Sequence, residues 1–168
     1  MNNKNLEKIR HSLAHLMAMA VLEKFPKAKL GIGPVIENGF YYDFQFTDKR
    51  GLNTDLHGQK STITETDLPE IEKRMRELIK QDLKFKKEII TFTEAKKIFP
   101  AKGGSASGGK NQPYKLELVK EASSKKQVLS IYKSGNFIDL CKGPHVKSAA
   151  EINPDAFKLT KIAGAYWR

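Results

Sequence analysis

The sequence predicts an α+β fold in which helices pack on an antiparallel sheet. Helical and strand-like hydrophobic spacings are mixed along the chain without regular alternation. A turn signal, Asn38-Gly39, joins two neighbouring strand-like segments. With 168 residues, of which 39% are hydrophobic and 29% charged, the composition suits one globular domain over residues 1–168 and excludes a disordered chain. No apolar run approaches the ~18 residues of a membrane span.

The first predicted helix covers residues 6–25 and ends before Pro26. Residues at helical spacing form one apolar stripe on it: Leu6, Ile9, Leu13, Leu16, Met17 and Ala20. His11 and His15 lie on the opposite side, beside small alanines. We therefore expect the histidine face to be left open for another use.

A hairpin follows, with strands predicted over residues 30–36 and 40–46. The polar segment 47–63 is interpreted as a loop, and its single histidine, His57, as incidental. A second helix begins near residue 66 or 67, with Pro69 in its first turn and Glu70 placed for a capping box. Its predicted buried stripe is Leu68, Ile71, Met75, Leu78 and Ile79.

The remaining elements are shorter. We predict a strand near residues 88–92 and a helix near 94–99. Residues 101–113 contain GGSASGG, which has the composition of a flexible linker, either natural or engineered. Four strand-like segments follow, at 114–119, 128–132, 137–141 and 157–162, with a turn at Ser134-Gly135-Asn136.

The charge balance is strongly basic. Thirty Lys and Arg against 19 Asp and Glu give a net charge of +11. Such a chain attracts polyanions, nucleic acid above all, although a generally lysine-rich surface explains the charge equally well. One cysteine cannot form an internal disulfide, and no signal-peptide pattern is present, so we expect a cytoplasmic protein.

Three of the four histidines and the single cysteine fall into two short motifs. His11 and His15 form H-x-x-x-H, which on a helix points two imidazoles from one face, as in a metal or proton-transfer site. Zinc proteases place Glu after the first histidine, whereas this chain has Ser12, so that class is excluded. Two histidines with no special role are the alternative.

The second motif, C-x-x-x-H, joins Cys141 and His145 at the end of a predicted strand. Asp139 shares a strand face with Cys141, and if buried there it needs a partner. The alternative for Cys141 is a small buried hydrophobic side chain.

Four segments carry a family resemblance: IRHSLAHLMAMAVLEKFP, LGIGPVIENGFYYDF, DLCKGPHV and FKLTKIAGAYWR. They resemble the second additional domain shared by threonyl- and alanyl-tRNA synthetases, and the details are similar to the bacterial threonyl type. The resemblance covers nearly the whole chain except 47–63 and 101–113. It implies a cleft between helix and sheet in which the ester of mischarged seryl-tRNA(Thr) is hydrolysed. The implied catalytic positions are His11, His15, Lys115, Asp139, Cys141 and His145, with Tyr42, Lys115 and Asp139 contacting the substrate.

The resemblance also suggests roles for these positions. A neutral His11 or His15 activates water, and Lys115 holds the terminal ribose or phosphate and stabilises the ester oxygen. Asp139 binds the substrate ammonium or orients a histidine, while Cys141 and His145 shape the water site. Without the resemblance, Lys115 in YKLEL would be interpreted as solvated and Tyr42 as core.

Metal content divides the family. The alanyl branch and its freestanding relatives use zinc, whereas the threonyl type works without it at this site. We therefore predict no cofactor, with zinc at His11, His15, Cys141 and His145 as the alternative.

The resemblance implies further expectations about partners and extent. The implied substrate makes the acceptor end of tRNA(Thr) one partner. The rest of a synthetase chain is the other, because the sequence ends at AYWR, where the family continues into its catalytic core. We expect an excised fragment rather than a freestanding editing factor. A non-catalytic tRNA-binding module and a small zinc-stabilised interaction domain are the competing interpretations.

Overall fold

A computed structural model describes residues 3–46, 62–100 and 112–164. His57, most of the predicted loop 47–63 and most of the linker 101–113 lie outside these residues. The helices are α1 (Asn3–Lys24), α2 (Leu68–Lys80), α3 (Phe92–Ile98) and α4 (Pro113–Ser124). The strands are β1 (Lys29–Leu30), β2 (Val35–Ile36), β3 (Gly39–Phe40), β4 (Phe44–Gln45), β5 (Lys86–Ile90), β6 (Leu129–Ser134) and β7 (Phe137–Leu140). The predicted α+β class with antiparallel pairing is confirmed.

Helix α1 is buried on two sides. Its predicted stripe packs with Ile71, Met75 and Leu78 of α2 in the main core. The opposite side, through Ala14 and Ala18, packs against the hairpin and β7 in a second cluster. The expected open histidine face is therefore only partly open, because the hairpin approaches closely over the small alanines and His15 is buried, while His11 stays half-buried. None of the helices in the described part of the chain is long and apolar enough to cross a membrane.

The predicted hairpin forms as two short antiparallel pairs, β1 with β4 and β2 with β3. Backbone hydrogen bonds between Gly31 and Asp43 and between Asp43 and Ile32 join the two pairs. Alternation directs Tyr42 toward α1, where it is buried.

Helix α2 begins at Leu68, after a 3₁₀ turn at Glu65–Asp67. The predicted capping box with Glu70 does not form. Asp67 instead accepts from the backbone N–H of Thr64, and Glu70 pairs with Lys24 of α1. The buried residues of α2 follow the predicted stripe: Ile71, Met75, Leu78 and Ile79.

Strands β5, β6 and β7 form an antiparallel sheet in that order. One face packs on α3 and α4 through Leu129 and Ile131, and the other faces α1. The predicted strand at 114–119 is wrong, since this segment lies within α4, which starts at Pro113 and buries Leu116 and Val119. The alternating apolar residues of this segment are also compatible with a strand, but its buried apolar residues, Leu116 and Val119, are three positions apart, as on one side of a helix.

The predicted strand at 157–162 is also wrong, because side chains of α2 hold this segment in place of a strand ladder. The Leu159 N–H donates to the Glu72 carboxylate at 2.7 Å. The Arg76 guanidinium donates to the Pro154 carbonyl at 3.0 Å and lies over the Phe157 ring.

Candidate functional site

All seven residues singled out in the sequence meet at the junction of α1, the hairpin, α4 and the end of β7. Helix α1 supplies two histidines one turn apart, and the segment after β7 supplies a cysteine and a third histidine. These four side chains are His11, His15, Cys141 and His145, with candidate donor atoms all within 4.8 Å of one another. A second group adjoins them and consists of Tyr42, Lys115 and Asp139.

The first group centres on the sulfur of Cys141. Nε2 of His11 and Nε2 of His145 each lie 3.3 Å from this sulfur. The backbone N–H of Gly143 donates to it at 3.3 Å. Burial is the main reason that the pKa of the Cys141 thiol is raised to about 12, so the thiol keeps its proton at neutral pH.

Ser12 determines which nitrogen of His145 carries a proton. The Ser12 hydroxyl donates to the Lys8 carbonyl at 2.8 Å, which uses its only hydrogen. Nδ1 of His145 lies 3.1 Å from the same oxygen and must therefore be the donor. In the neutral ring this leaves the Nε2 lone pair directed at Cys141.

His11 is held in the same way. Its Nδ1 lies 3.1 Å from the Pro144 carbonyl, which can only accept a hydrogen bond. The neutral ring therefore also turns an Nε2 lone pair toward Cys141. The thiol has one proton and can donate it to only one of the two Nε2 lone pairs. The other lone pair therefore remains available to accept a proton from water.

The second group is a buried ion pair. Lys115 is 1% exposed, and its ammonium lies 2.5 Å from Oδ1 of Asp139. Tyr42 donates to Oδ2 of Asp139 at 2.6 Å and accepts from Lys115 at 3.0 Å. The interpretation of Lys115 as solvated is thus wrong, because α4 turns this side chain inward. Tyr42 both packs in the core and binds the carboxylate.

His15 connects the two groups. Its Nε2 lies 3.3 Å from Oδ2 of Asp139, while its buried Nδ1 has no hydrogen-bond partner among the described residues. Burial lowers the pKa of His15 well below its usual value, so the ring is neutral despite the nearby carboxylate.

Solvent access distinguishes the histidines. His15 and His145 are buried, whereas His11 is half-buried. Desolvation also lowers the pKa values of His11 and His145, so all three rings are neutral near neutral pH. Of these three neutral rings, His11 is therefore the one that water can reach.

Three supporting residues were missed at the sequence level. Ser12 orients His145, and Phe85 stacks on the same ring at 5.3 Å between centroids. Gly33 gives space to Tyr42, since a Cβ there would lie 2.3 Å from the ring. A serine beside the apolar stripe of a helix is the signal that could have revealed Ser12, because a buried hydroxyl needs partners.

The donor set also fits zinc. Three imidazoles and one thiol have the ligand types of a structural or catalytic zinc site, and their proximity fits one centre. The Nδ1 contacts of His11 and His145 resemble the outer hydrogen bonds that orient metal-bound histidines. Against this, zinc would have to displace the thiol proton and lie near the Lys115 ammonium.

Comparison with known proteins finds similar sequences. Residues 129–165 match the model described as the threonyl and alanyl tRNA synthetase second additional domain. The chain is 50% identical over 163 residues to a threonine–tRNA ligase of Borreliella burgdorferi (strain ZS7). The aligned residues cover 97% of this chain and 24% of that protein. It is 48% identical over 164 residues to the threonine–tRNA ligase of Dehalococcoides mccartyi (strain CBDB1).

The chain thus spans about a quarter of the length of these relatives, 24% in each case. The match runs through both histidine motifs and all seven site residues, because it covers 97% of the chain. The chain is therefore similar to the second additional domain of the threonyl- and alanyl-tRNA synthetases over residues 129–165, and to one segment of bacterial threonine–tRNA ligases over nearly its whole length.

Proposed function

We propose that this chain edits aminoacyl-tRNA by hydrolysing the ester of seryl-tRNA(Thr). The observation that carries the proposal is the half-buried, neutral His11, whose Nε2 lies 3.3 Å from the protonated thiol of Cys141. Such a group accepts a proton from water without itself needing to be deprotonated. The similarity to threonine–tRNA ligases supports the choice of substrate.

In the proposed reaction, His11 accepts a proton from water as the water oxygen bonds to the ester carbonyl carbon. The carbon–oxygen bond to the ribose then breaks, and the ribose oxygen takes up that proton. Serine and a tRNA with a free terminal hydroxyl leave. Lys115 stabilises negative charge that develops on the carbonyl oxygen, and Asp139 orients His15 and Tyr42.

A chemical need supports editing of serine in particular. Serine lacks one methyl group of threonine, and a synthetic site discriminates such a difference by only ~1–3 kcal/mol. A second, hydrolytic site removes what the first accepts. We propose the acceptor end of tRNA(Thr) and the rest of a synthetase chain as partners, and the cytoplasm as the location.

We further propose that hydrolysis proceeds without a metal. A zinc-dependent aminoacyl-tRNA deacylase is the second candidate, which the convergence of four donors within 4.8 Å favours. In that case zinc would be held by the same three histidines and Cys141, and it would supply an activated water at neutral pH.

The test compares hydrolysis of seryl-tRNA(Thr) and threonyl-tRNA(Thr) by the chain and by His11→Ala, His15→Ala and the double variant. We expect selective hydrolysis of the seryl ester and a loss of ~10²-fold or more in the double variant. Binding of uncharged tRNA and circular dichroism of each variant serve as controls for fold. Binding without any hydrolysis would replace the proposal with a non-catalytic tRNA-binding module.

A further inference from the structure

Three consecutive residues of α1 join the helix to two other segments of the chain. His11 contacts the Pro144 carbonyl, and the Ser12 hydroxyl accepts from the Val146 N–H, so both bind the segment after β7. Arg10 instead reaches the turn of the hairpin between β2 and β3. The turn of α1 that carries His11 is therefore bound to the hairpin as well as to the segment that supplies the other site residues.

Arg10 holds the hairpin turn through its guanidinium group. One terminal nitrogen donates to the Glu37 carbonyl at 2.6 Å and lies 3.4 Å from the Ile36 carbonyl. Among the described residues no carboxylate forms an ion pair with Arg10, so its charge is directed at these two neutral acceptors. Hydrogen bonds from a charged donor are stronger than those between neutral groups.

The base of the hairpin and its turn are anchored differently. At the base, the buried Gln112 side chain accepts from the backbone of β1 at 2.7 Å, and the Tyr42 side chain is buried. Toward the turn, Phe40 packs on the main core, but residues 36–38 are exposed. The ladder of β2 and β3 has only two residue pairs, and so short a hairpin is marginal by itself. The position of the turn therefore depends on Arg10.

We infer that Arg10 is a positioning residue that holds the hairpin turn against α1 and thereby sets the opening beside His11. The inference rests on the proposed function, in which the ester must reach His11. Because Arg10 and His11 are neighbours on α1, a displaced turn changes the space beside His11. The base of the hairpin, with Tyr42, keeps its own contacts. Loss of Arg10 therefore weakens binding of the ester more than it slows the chemical step.

The first experiment measures kcat and KM separately for seryl-adenosine, which carries no phosphate. Arg10→Met keeps an unbranched stem but has no hydrogen to donate, so we expect KM to rise about tenfold with kcat nearly unchanged. Arg10→Lys retains a charged donor and should give an intermediate KM. Arg74→Met is the matched control, because Arg74 of α2 also binds α1, through Glu23 at 3.0 Å, and its loss should leave KM unchanged.

A second experiment measures the hairpin turn without any substrate. Hydrogen exchange of the backbone amides of residues 35–41 should be faster in Arg10→Met than in the wild type, because the short ladder opens more often. Exchange in Arg74→Met should match the wild type over the same residues.

The remaining outcomes separate the inference from the proposed function. An unchanged KM in Arg10→Met, or an equal rise in Arg74→Met, would overturn the inference. An effect on seryl-tRNA(Thr) but not on seryl-adenosine would also overturn it and would indicate that Arg10 contacts an RNA phosphate. If the wild-type chain hydrolyses neither substrate, the proposed function fails. Hydrogen exchange then decides the inference, and an unchanged rate over residues 35–41 in Arg10→Met would refute it.

Discussion

Nδ1 of His145 and the Ser12 hydroxyl oxygen lie 3.1 Å apart, across the contact between α1 and the segment after β7. The same hydroxyl accepts from the Val146 N–H at 3.1 Å and donates to Lys8 one turn earlier. One fully buried side chain thus fixes the position of two segments and the protonated nitrogen of an imidazole.

Ser12→Ala should remove the acceptor that keeps the proton on Nδ1 of His145. We expect deacylation to fall about tenfold and the free energy of unfolding by about 1–3 kcal/mol, because a buried His145 N–H loses its acceptor. Nitrogen chemical shifts of the His145 ring should change from the Nδ1–H form to a mixture of tautomers, which a purely structural role would not cause. Ser134→Ala is the control, since Ser134 is buried but its hydroxyl contacts the Lys84 carbonyl away from the site. A ring still wholly in the Nδ1–H form would contradict the assignment.

The arrangement within each motif was predictable from the sequence, the meeting of the two motifs followed from the family resemblance, and the residues that support the site were not predictable. The i, i+4 spacing of His11 and His15 and the strand alternation of Asp139 and Cys141 both depend on local periodicity, which the sequence contains. The segment YKLEL around Lys115 fits both strand and helix periodicity, and only the packing of α4 over the sheet decides between them. The closeness of Gly33 to Tyr42 arises from the pairing of two strands and leaves no local pattern.

Gly33→Ala should displace the Tyr42 ring. A Cβ at position 33 would lie 2.3 Å from Tyr42 Cδ2, so the ring must move away from residue 33 or the hairpin must shift. We expect a loss of about 1–3 kcal/mol in stability, as for other overpacked cores, together with weaker editing because Tyr42 no longer binds Asp139. Gly39→Ala in the same hairpin is the control, since its Cβ would meet nothing within 4 Å. Equal melting temperatures in the two variants would contradict the tight contact.

Lys115→Met should destabilise the fold strongly, because it leaves the Asp139 carboxylate buried without its counter-charge. Breaking one side of a buried pair costs about 3–5 kcal/mol, whereas replacing both partners is much milder. Urea unfolding of Lys115→Met, Asp139→Asn and the double variant measures this coupling. Lys133→Met, which breaks the half-exposed pair with Glu88, should cost less than about 1 kcal/mol. The pairing would be contradicted if the double variant lost as much free energy of unfolding as the two single variants lose together.

Stability should decrease in mild acid. The folded-state pKa values of His15 and His145 are lowered by burial, so below the unfolded value of about 6.5 the unfolded chain binds more protons than the folded one. Stability is therefore fully present above about pH 6.5 and is lost as the pH falls toward about 5. Melting temperatures measured with a chelator across this window test the sign. His15→Gln, which cannot titrate, should show a shallower slope, and an identical slope would contradict the assignment to buried histidine.

The metal question has a direct answer in the purified chain. Zinc bound by His11, His15, Cys141 and His145 would require loss of the thiol proton, whose pKa is raised to about 12 by burial and nearby Asp139. It would also place a divalent cation close to the buried Lys115 ammonium. We expect elemental analysis to find no stoichiometric zinc, and deacylation of seryl-tRNA(Thr) to continue in a chelator. One tightly bound zinc per chain, with thiolate–metal absorption after cobalt exchange and activity lost on removal, would instead establish metal-activated water as the nucleophile.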